Sequence, residues 1–203
     1  TLHAYYTAGA MTVRPDTTPF IGFYPGSTHG QRIDLGIGTL YAYYKLGTSL
    51  LFPGTGSTGS FSSRISHVPD EVLFQFPLTV GTNWTSSYAE SSIVTLPSPL
   101  PPLVTITNYT VINTADAYGS LTLPGGGVHQ AVRLKIDRRS FSAGRSNRTI
   151  SYTMLASDGA SASVLAADTL QPNSGTINVG GISWNDQLLT GVRSGESVPS
   201  AFS

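Results

Sequence analysis

The chain predicts an all-β fold, an antiparallel β-sandwich or jelly roll of roughly ten short strands. Three observations carry that expectation. Glycine and proline recur 22 and 13 times in 203 residues and punctuate the chain at short intervals. Serine, threonine and β-branched residues, which suit strands and turns and form helices poorly, stand where charged residues would usually be. Apolar and polar residues alternate most cleanly over Val128 to Arg138, where Val132, Leu134 and Ile136 face inward and Arg133, Lys135 and Asp137 outward.

The elements follow in order. Thr1 to Val13 alternates Leu2, Ala4 and Tyr6 with His3, Tyr5 and Thr7 and reads as an edge strand. Arg32 to Leu51 carries Ile33, Leu35 and Ile37 at period two, then Tyr41-Ala-Tyr-Tyr44, whose Tyr43 and Tyr44 must point to opposite faces. Pro53 to Ser63 reads as a flexible, turn-rich connection, and Val72 to Phe76 as a strand ended by Pro77. Ser91 to Leu96 leads into Pro97-Ser-Pro-Leu-Pro-Pro102, with four prolines in six positions. Such a run favours polyproline geometry and is expected to form a crossover between the sheets of one domain, residues 1–195. Val104 to Asn113 and Ala117 to Leu123 read as two strands, followed by a turn at Pro124-Gly-Gly-Gly127. Arg138 to Arg148 reads as a polar loop, and Thr149 to Leu155 with Ser161 to Ala166 as a hairpin around Asp158-Gly159. Gly175 to Trp184 supplies the last strand pair or bend. Ala160 to Leu170, the best helical candidate, is interrupted by serine and β-branched residues.

Eleven basic and eleven acidic side chains cancel, which argues against a basic field for nucleic acid or an anionic membrane. Charged residues make up only 11% of the chain, so its surface is expected to rely on hydroxyls, amides or attached sugars. No cysteine is present, which removes thiolate metal sites, thiol nucleophiles and disulfides. No apolar run is long enough for a membrane-spanning helix, so no membrane insertion is expected. The chain begins Thr1-Leu-His without a charged and apolar leader, as expected after removal of a signal peptide.

Candidate chemistry is sparse. His3, His29, His67 and His129 are scattered without metal-ligand spacing. Asp116, Asp137, Asp158, Asp168 and Asp186 lie in or near expected loops and leave calcium as the one cofactor candidate, against ordinary Asx turns. His67 and Asp70 with a serine would be the components of a hydrolytic triad, but no Gly-x-Ser-x-Gly elbow accompanies them. Glu71, Glu90 and Glu196 are the only glutamates for a carboxylate pair, and Asp70-Glu71 reads as a loop or strand start. Tyr5-Tyr6, Phe20, Phe23-Tyr24, Tyr41 and Tyr43-Tyr44 offer stacking faces for sugars, or else core packing. Asn83-Trp-Thr, Asn108-Tyr-Thr and Asn147-Arg-Thr are glycosylation sequons, of which Asn147 lies in the expected polar loop.

Two stretches resemble a known class of proteins. Glu196-Ser-Val-Pro-Ser-Ala-Phe-Ser203 resembles the opening of the C-terminal sorting domain of bacterial type IX secretion cargo, with Val198, Pro199 and Phe202 matching. The chain stops before the Asn-Tyr-Pro-Asn-Pro-Phe core of that domain, so residues 196–203 resemble a remnant left after its removal. Phe76-Pro-Leu-Thr-Val-Gly-Thr-Asn-Trp84, Asp116 to Gly127 and Ala131-Val-Arg-Leu-Lys135 resemble a pattern in extracellular cargo of the same system, spanning about residues 75–190. The resemblance implies secretion to the bacterial cell surface and a β fold, and assigns no catalytic residue.

The expectation is therefore a non-enzymatic extracellular protein, structural or adhesive, without a resident cofactor. Its partners are further copies of itself or a surface polysaccharide, not nucleic acid. Uncharged strand edges favour strand addition, with Leu2, Ala4 and Tyr6 as the candidate assembly strand. A carbohydrate-binding module is the alternative, and a secreted hydrolase the third.

Overall fold

The structure, a computed structural model, describes residues 10–59, 61–97, 99–123, 127–166 and 179–185. Eleven strands follow one another: β1 Ala10–Val13, β2 His29–Asp34, β3 Gly38–Leu46, β4 Ser49–Gly59, β5 Ser62–Gln75 and β6 Asn83–Thr95, then β7 Leu103–Thr122, β8 Val128–Ser142, β9 Arg145–Ala156, β10 Ser161–Ala166 and β11 Val179–Asn185. They hydrogen-bond in chain order in one sheet, and every described pairing is antiparallel. The helical residues among those described are two 3₁₀ turns, Pro15–Thr17 and Ile21–Phe23. Among the described residues no helix is long and apolar enough to cross a membrane.

The all-β, antiparallel expectation holds, while several segments are longer or more regular than the sequence suggested. Val104 to Asn113 and Ala117 to Leu123 are parts of one 20-residue strand, β7. Val111, Asn113 and Ala115 keep an inward alternation at 1%, 3% and 1% exposure, so the pleat continues through the supposed break. The prolines at 97–102 join β6 to β7, which are neighbours in the sheet. That segment is a hairpin connection and not a crossover, because the strands on either side pair with each other.

Pro53 to Gly59 is strand and not loop: it forms most of β4 and pairs with β3 as Gly38↔Gly59, Tyr41↔Gly56 and Tyr43↔Gly54. The glycines there answer close approaches. A Cβ on Gly56 would enter the Phe20 ring, and one on Gly54 (φ +145) would meet the Ile65 carbonyl. The pairing slips between Tyr43 and Lys45, opposite Pro53, where a proline is tolerated at a bulge.

The apolar alternation at Ile33, Leu35 and Ile37 also misled. The chain reverses at Gly36 (φ +77), leaving Leu35 and Ile37 at a hairpin tip, 53% and 86% exposed. Arg138 to Arg148 is no loop either. β8 and β9 continue to a two-residue turn at Ala143 and Gly144, where φ is 48° and 76°. Both values are those of the tight turn that matches strand twist, a turn usually marked by Asn-Gly. The hairpin around Asp158-Gly159 forms as expected between β9 and β10, with the Ala156 amide donating to the Ala160 carbonyl at 2.9 Å.

The chain divides into two compact units, residues 1–74 with 87–109 and residues 75–86 with 110–203. In the first, Tyr24 and Tyr43 are buried and stack with centroids 4.5 Å apart. The Tyr24 hydroxyl faces the carbonyl oxygens of Thr55 and Ile65, and burial pushes its pKa up to about 12. Tyr44 points to the other face, as expected, and stacks on Phe52. The second unit buries Leu78, Trp84, Leu134 and Tyr152, and a small-residue cluster of Ala131, Ala156, Ala160 and Ala162 around Leu123. Trp84, buried in this unit, is a large apolar anchor for its core.

Candidate functional site

Three arrangements bear on function: the terminal strands of the sheet, a buried polar ladder in the first unit, and the surface of the second unit. Among the described residues, β1 and β11 stand at the two ends of the strand order, each with one strand neighbour. β1 pairs with β2 from Ala10↔Ile33 to Val13↔Gly30 and ends where Pro15 opens a 3₁₀ turn. β11 pairs with β10 from Ser161↔Asn185 to Ala166↔Val179. Ala-Met-Thr-Val and Val-Gly-Gly-Ile-Ser-Trp-Asn contain no charged residue and no proline, the usual guards of a sheet edge. Met11 is 52% exposed on the first and Trp184 is 40% exposed on the last. Leu2, Ala4 and Tyr6 lie outside the described residues, and β1 is the described part of the strand they were assigned to.

Spacing along the chain did not reveal the ladder. Tyr44, Phe52, His67, Tyr88 and Tyr109, one from each of β3 to β7, follow one another with centroids 5.4, 5.1, 4.5 and 5.1 Å apart, stacked at both ends and edge-on between Phe52 and His67. Those steps follow the lateral spacing of neighbouring strands. At its centre His67, 5% exposed, places Nδ1 3.1 Å from the Phe52 carbonyl and Nε2 3.2 Å from Glu90 Oε2. Glu71, buried on the same strand four residues on, lies 3.7 Å from His67 Nδ1 and accepts the Tyr88 hydroxyl at 2.9 Å.

Glu71 is thus inside β5, not at a loop or strand start, because four residues return a side chain to the same face of a strand. Register supplies the other carboxylate, since His67 and Glu90 are cross-strand partners. The one signal in the sequence was the His67/Glu71 spacing. The third triad candidate, Asp70, instead pairs with Lys45 at 2.7 Å. The imidazole thus contacts two carboxylates and a carbonyl and links β4, β5 and β6.

The aromatic residues weighed as a sugar platform also serve the interior of the first unit. Tyr24 and Tyr43 form the buried stack, and Phe20 lies over Gly56 beside Tyr41. Phe23 is exposed, with the Arg64 guanidinium 4.0 Å from its ring centre. Tyr5 and Tyr6 are outside the described residues.

In the second unit, Arg133 forks onto Asp116 at 2.8 and 3.2 Å and lies over the Tyr152 ring. Arg133 and Tyr152 border an open depression of about 380 Å³, lined also by Tyr118, Leu121, Met154 and Val164. Asp137 was expected to face out, yet it is 8% exposed because Arg148 and Arg139 cover it. Arg148 donates to it at 2.9 and 2.7 Å, Arg139 at 3.5 and 3.3 Å. These bonds, Arg148's foremost, hold the carboxyl at about 2 against the opposing effect of burial. A depressed folded-state value means that the stabilisation is present above the ordinary 3.8 and disappears as pH falls toward 2. Asp137→Asn should therefore lower the urea midpoint near neutral pH, and its deficit against the parent protein should vanish in strong acid.

Of the calcium candidates, Asp116 and Asp137 are engaged by arginines, and Asp158 by His129 at 2.6 Å and the Ala160 amide at 3.1 Å. The His129 hydrogen bond holds the Asp158 carboxyl below its ordinary range. Asp168 and Asp186 lie outside the described residues, and among the described residues no group of three His, Asp or Glu side chains is placed to hold a metal ion. Asn83, Asn108 and Asn147 are all exposed. Asn83 opens β6 and donates to the Gly81 carbonyl at 3.1 Å, while Asn108 lies in β7. Asn147 is in strand β9, paired with Ser140, and not in a loop. No family model, curated protein or solved structure matches the chain.

Proposed function

We propose that this protein is a secreted, non-enzymatic structural or adhesive component of a bacterial cell surface, and that it self-associates by strand addition at the ends of its sheet. One observation carries the reading: the first and last of the eleven described strands in the sheet order, β1 and β11, lack charge and proline. An edge of that kind is a template for another chain, and most monomeric proteins guard it. Joining the β11 edge of one copy to the β1 edge of the next is a heterologous contact, which repeats into a filament if the rotation does not close. The low charge of the chain and its resemblance to type IX cargo support the extracellular setting. Purified protein at high concentration should form filaments visible by negative-stain electron microscopy, and deletion of residues 1–13 should abolish them. A field of dispersed monomers would refute the proposal.

A carbohydrate-binding module is the second reading, favoured by the depression beside Arg133, where Tyr118 is 63% exposed. It requires polysaccharide binding that falls when Tyr118 becomes Ala, with the urea midpoint unchanged.

A further inference from the structure

The zero net charge conceals a concentrated basic element. Lys135, Arg138, Arg139, Arg145 and Arg148, five of the eleven basic residues, fall within 14 consecutive positions that contain a single acid, Asp137. Those positions are the end of β8, the Ala143–Gly144 turn and the start of β9. Residues 143–148 are all exposed, so both faces of the hairpin end are open to solvent.

Register decides how the cations are arranged. Arg139 and Arg148 are cross-strand partners and share one face with Phe141, which pairs with Ser146. Arg138 and Arg145, opposite Thr149 and Ser142, occupy the other face. Arg139 and Arg148 direct part of their donor sets at Asp137, and their side chains remain 54% and 55% exposed. Phe141, two residues before the turn, is 51% exposed.

We infer that the β8–β9 hairpin tip is a docking element for an anionic lipid surface, with Phe141 entering the headgroup region and arginines on both faces meeting phosphates. The two-faced arrangement selects this partner. A polymer lying along one face would meet only that face's cations, whereas a headgroup layer surrounds an inserted tip and meets both. Arginine suits phosphate because its planar fork donates two parallel hydrogen bonds. An exposed aromatic ring beside such cations suits the boundary between headgroups and acyl chains. The contact is peripheral and does not need the chain to span the bilayer. The expectation of no basic field was drawn from net charge, which sums the charges over the chain and does not locate them.

Vesicle co-sedimentation of the full chain tests this. Vesicles of phosphatidylcholine with roughly one-third phosphatidylglycerol should retain the protein at low salt, and pure phosphatidylcholine vesicles should not. Arg145→Gln should weaken binding about fivefold, the contribution of one cation near such a surface, and Arg145→Lys should keep most of it. Phe141→Ser should weaken binding without changing its salt dependence. Equal retention on neutral vesicles, no retention on anionic ones, or an unaffected Arg145→Gln variant would overturn the inference. So would binding to a soluble polyuronate or DNA oligonucleotide with none to vesicles.

Discussion

His67→Leu is expected to destabilise the first unit by about 3–5 kcal/mol, the usual consequence of removing one partner from a buried polar pair and the ring that packs there. The imidazole separates Glu71 from Glu90 and bonds the Phe52 carbonyl. Without it the Phe52 carbonyl and the Glu71 and Glu90 carboxylates each have one interaction fewer, while Glu71 keeps the Tyr88 hydroxyl. Leucine also forfeits the ring contacts to Phe52 and Tyr88. A compensated variant separates lost packing from stranded charge. His67→Leu combined with Glu71→Leu and Tyr88→Phe removes the Glu71 carboxylate and the hydroxyl that donates to it together and should recover part of the loss. Urea denaturation followed by tyrosine fluorescence measures both. A cost below about 1 kcal/mol for His67→Leu would show that the cluster is an ordinary surface pair.

Gly54→Ala should be comparably damaging, at about 3–6 kcal/mol from backbone strain and overpacking together. The new methyl group would meet the carbonyl oxygen of Ile65, which belongs to the backbone and cannot rotate aside, and would lie 2.9 Å from the Tyr24 ring. Its φ of +145° is also one that side chains avoid. Gly22→Ala is the control, since nothing lies within 4 Å of the added carbon there. Its urea midpoint should stay close to that of the parent protein. Equal midpoints for the two variants would show that β4 can move away from β5 at little cost.

Local pattern carried much of the fold into the sequence, and pairing carried the rest out of view. Val132 and Leu134 were legible as core because one strand's alternation suffices to place them. Asp158-Gly159 was legible as a turn because its residues favour that geometry locally. Ala143-Gly144 makes an equally tight turn with an alanine in the first position, so β8 and β9 looked shorter than they are. The glycines of β4 resembled a loop because flexibility is their property as isolated residues; the Phe20 ring and the Ile65 carbonyl, distant in the chain, make them necessary in a strand. The His67 cluster was hidden for the same reason. Glu90 is 23 positions away and joins His67 through strand register, which no spacing rule encodes. Asp137 was misplaced because arginines on its own strand and on β9 cover a position whose alternation pointed outward. The arginine-rich tip was visible as residues but not as a surface, since a net charge of zero says nothing about where the charges sit.

Sedimentation velocity on an edge-charged variant tests the assembly account most directly. Met11→Lys with Thr12→Lys adds two cations to β1 at exposed positions, where they should leave the urea midpoint nearly unchanged. The parent protein should sediment as growing species when its concentration is raised, and the variant should remain a single slow species throughout. Identical profiles for the two, either both monomeric or both polymeric, would contradict assembly through the β1 edge.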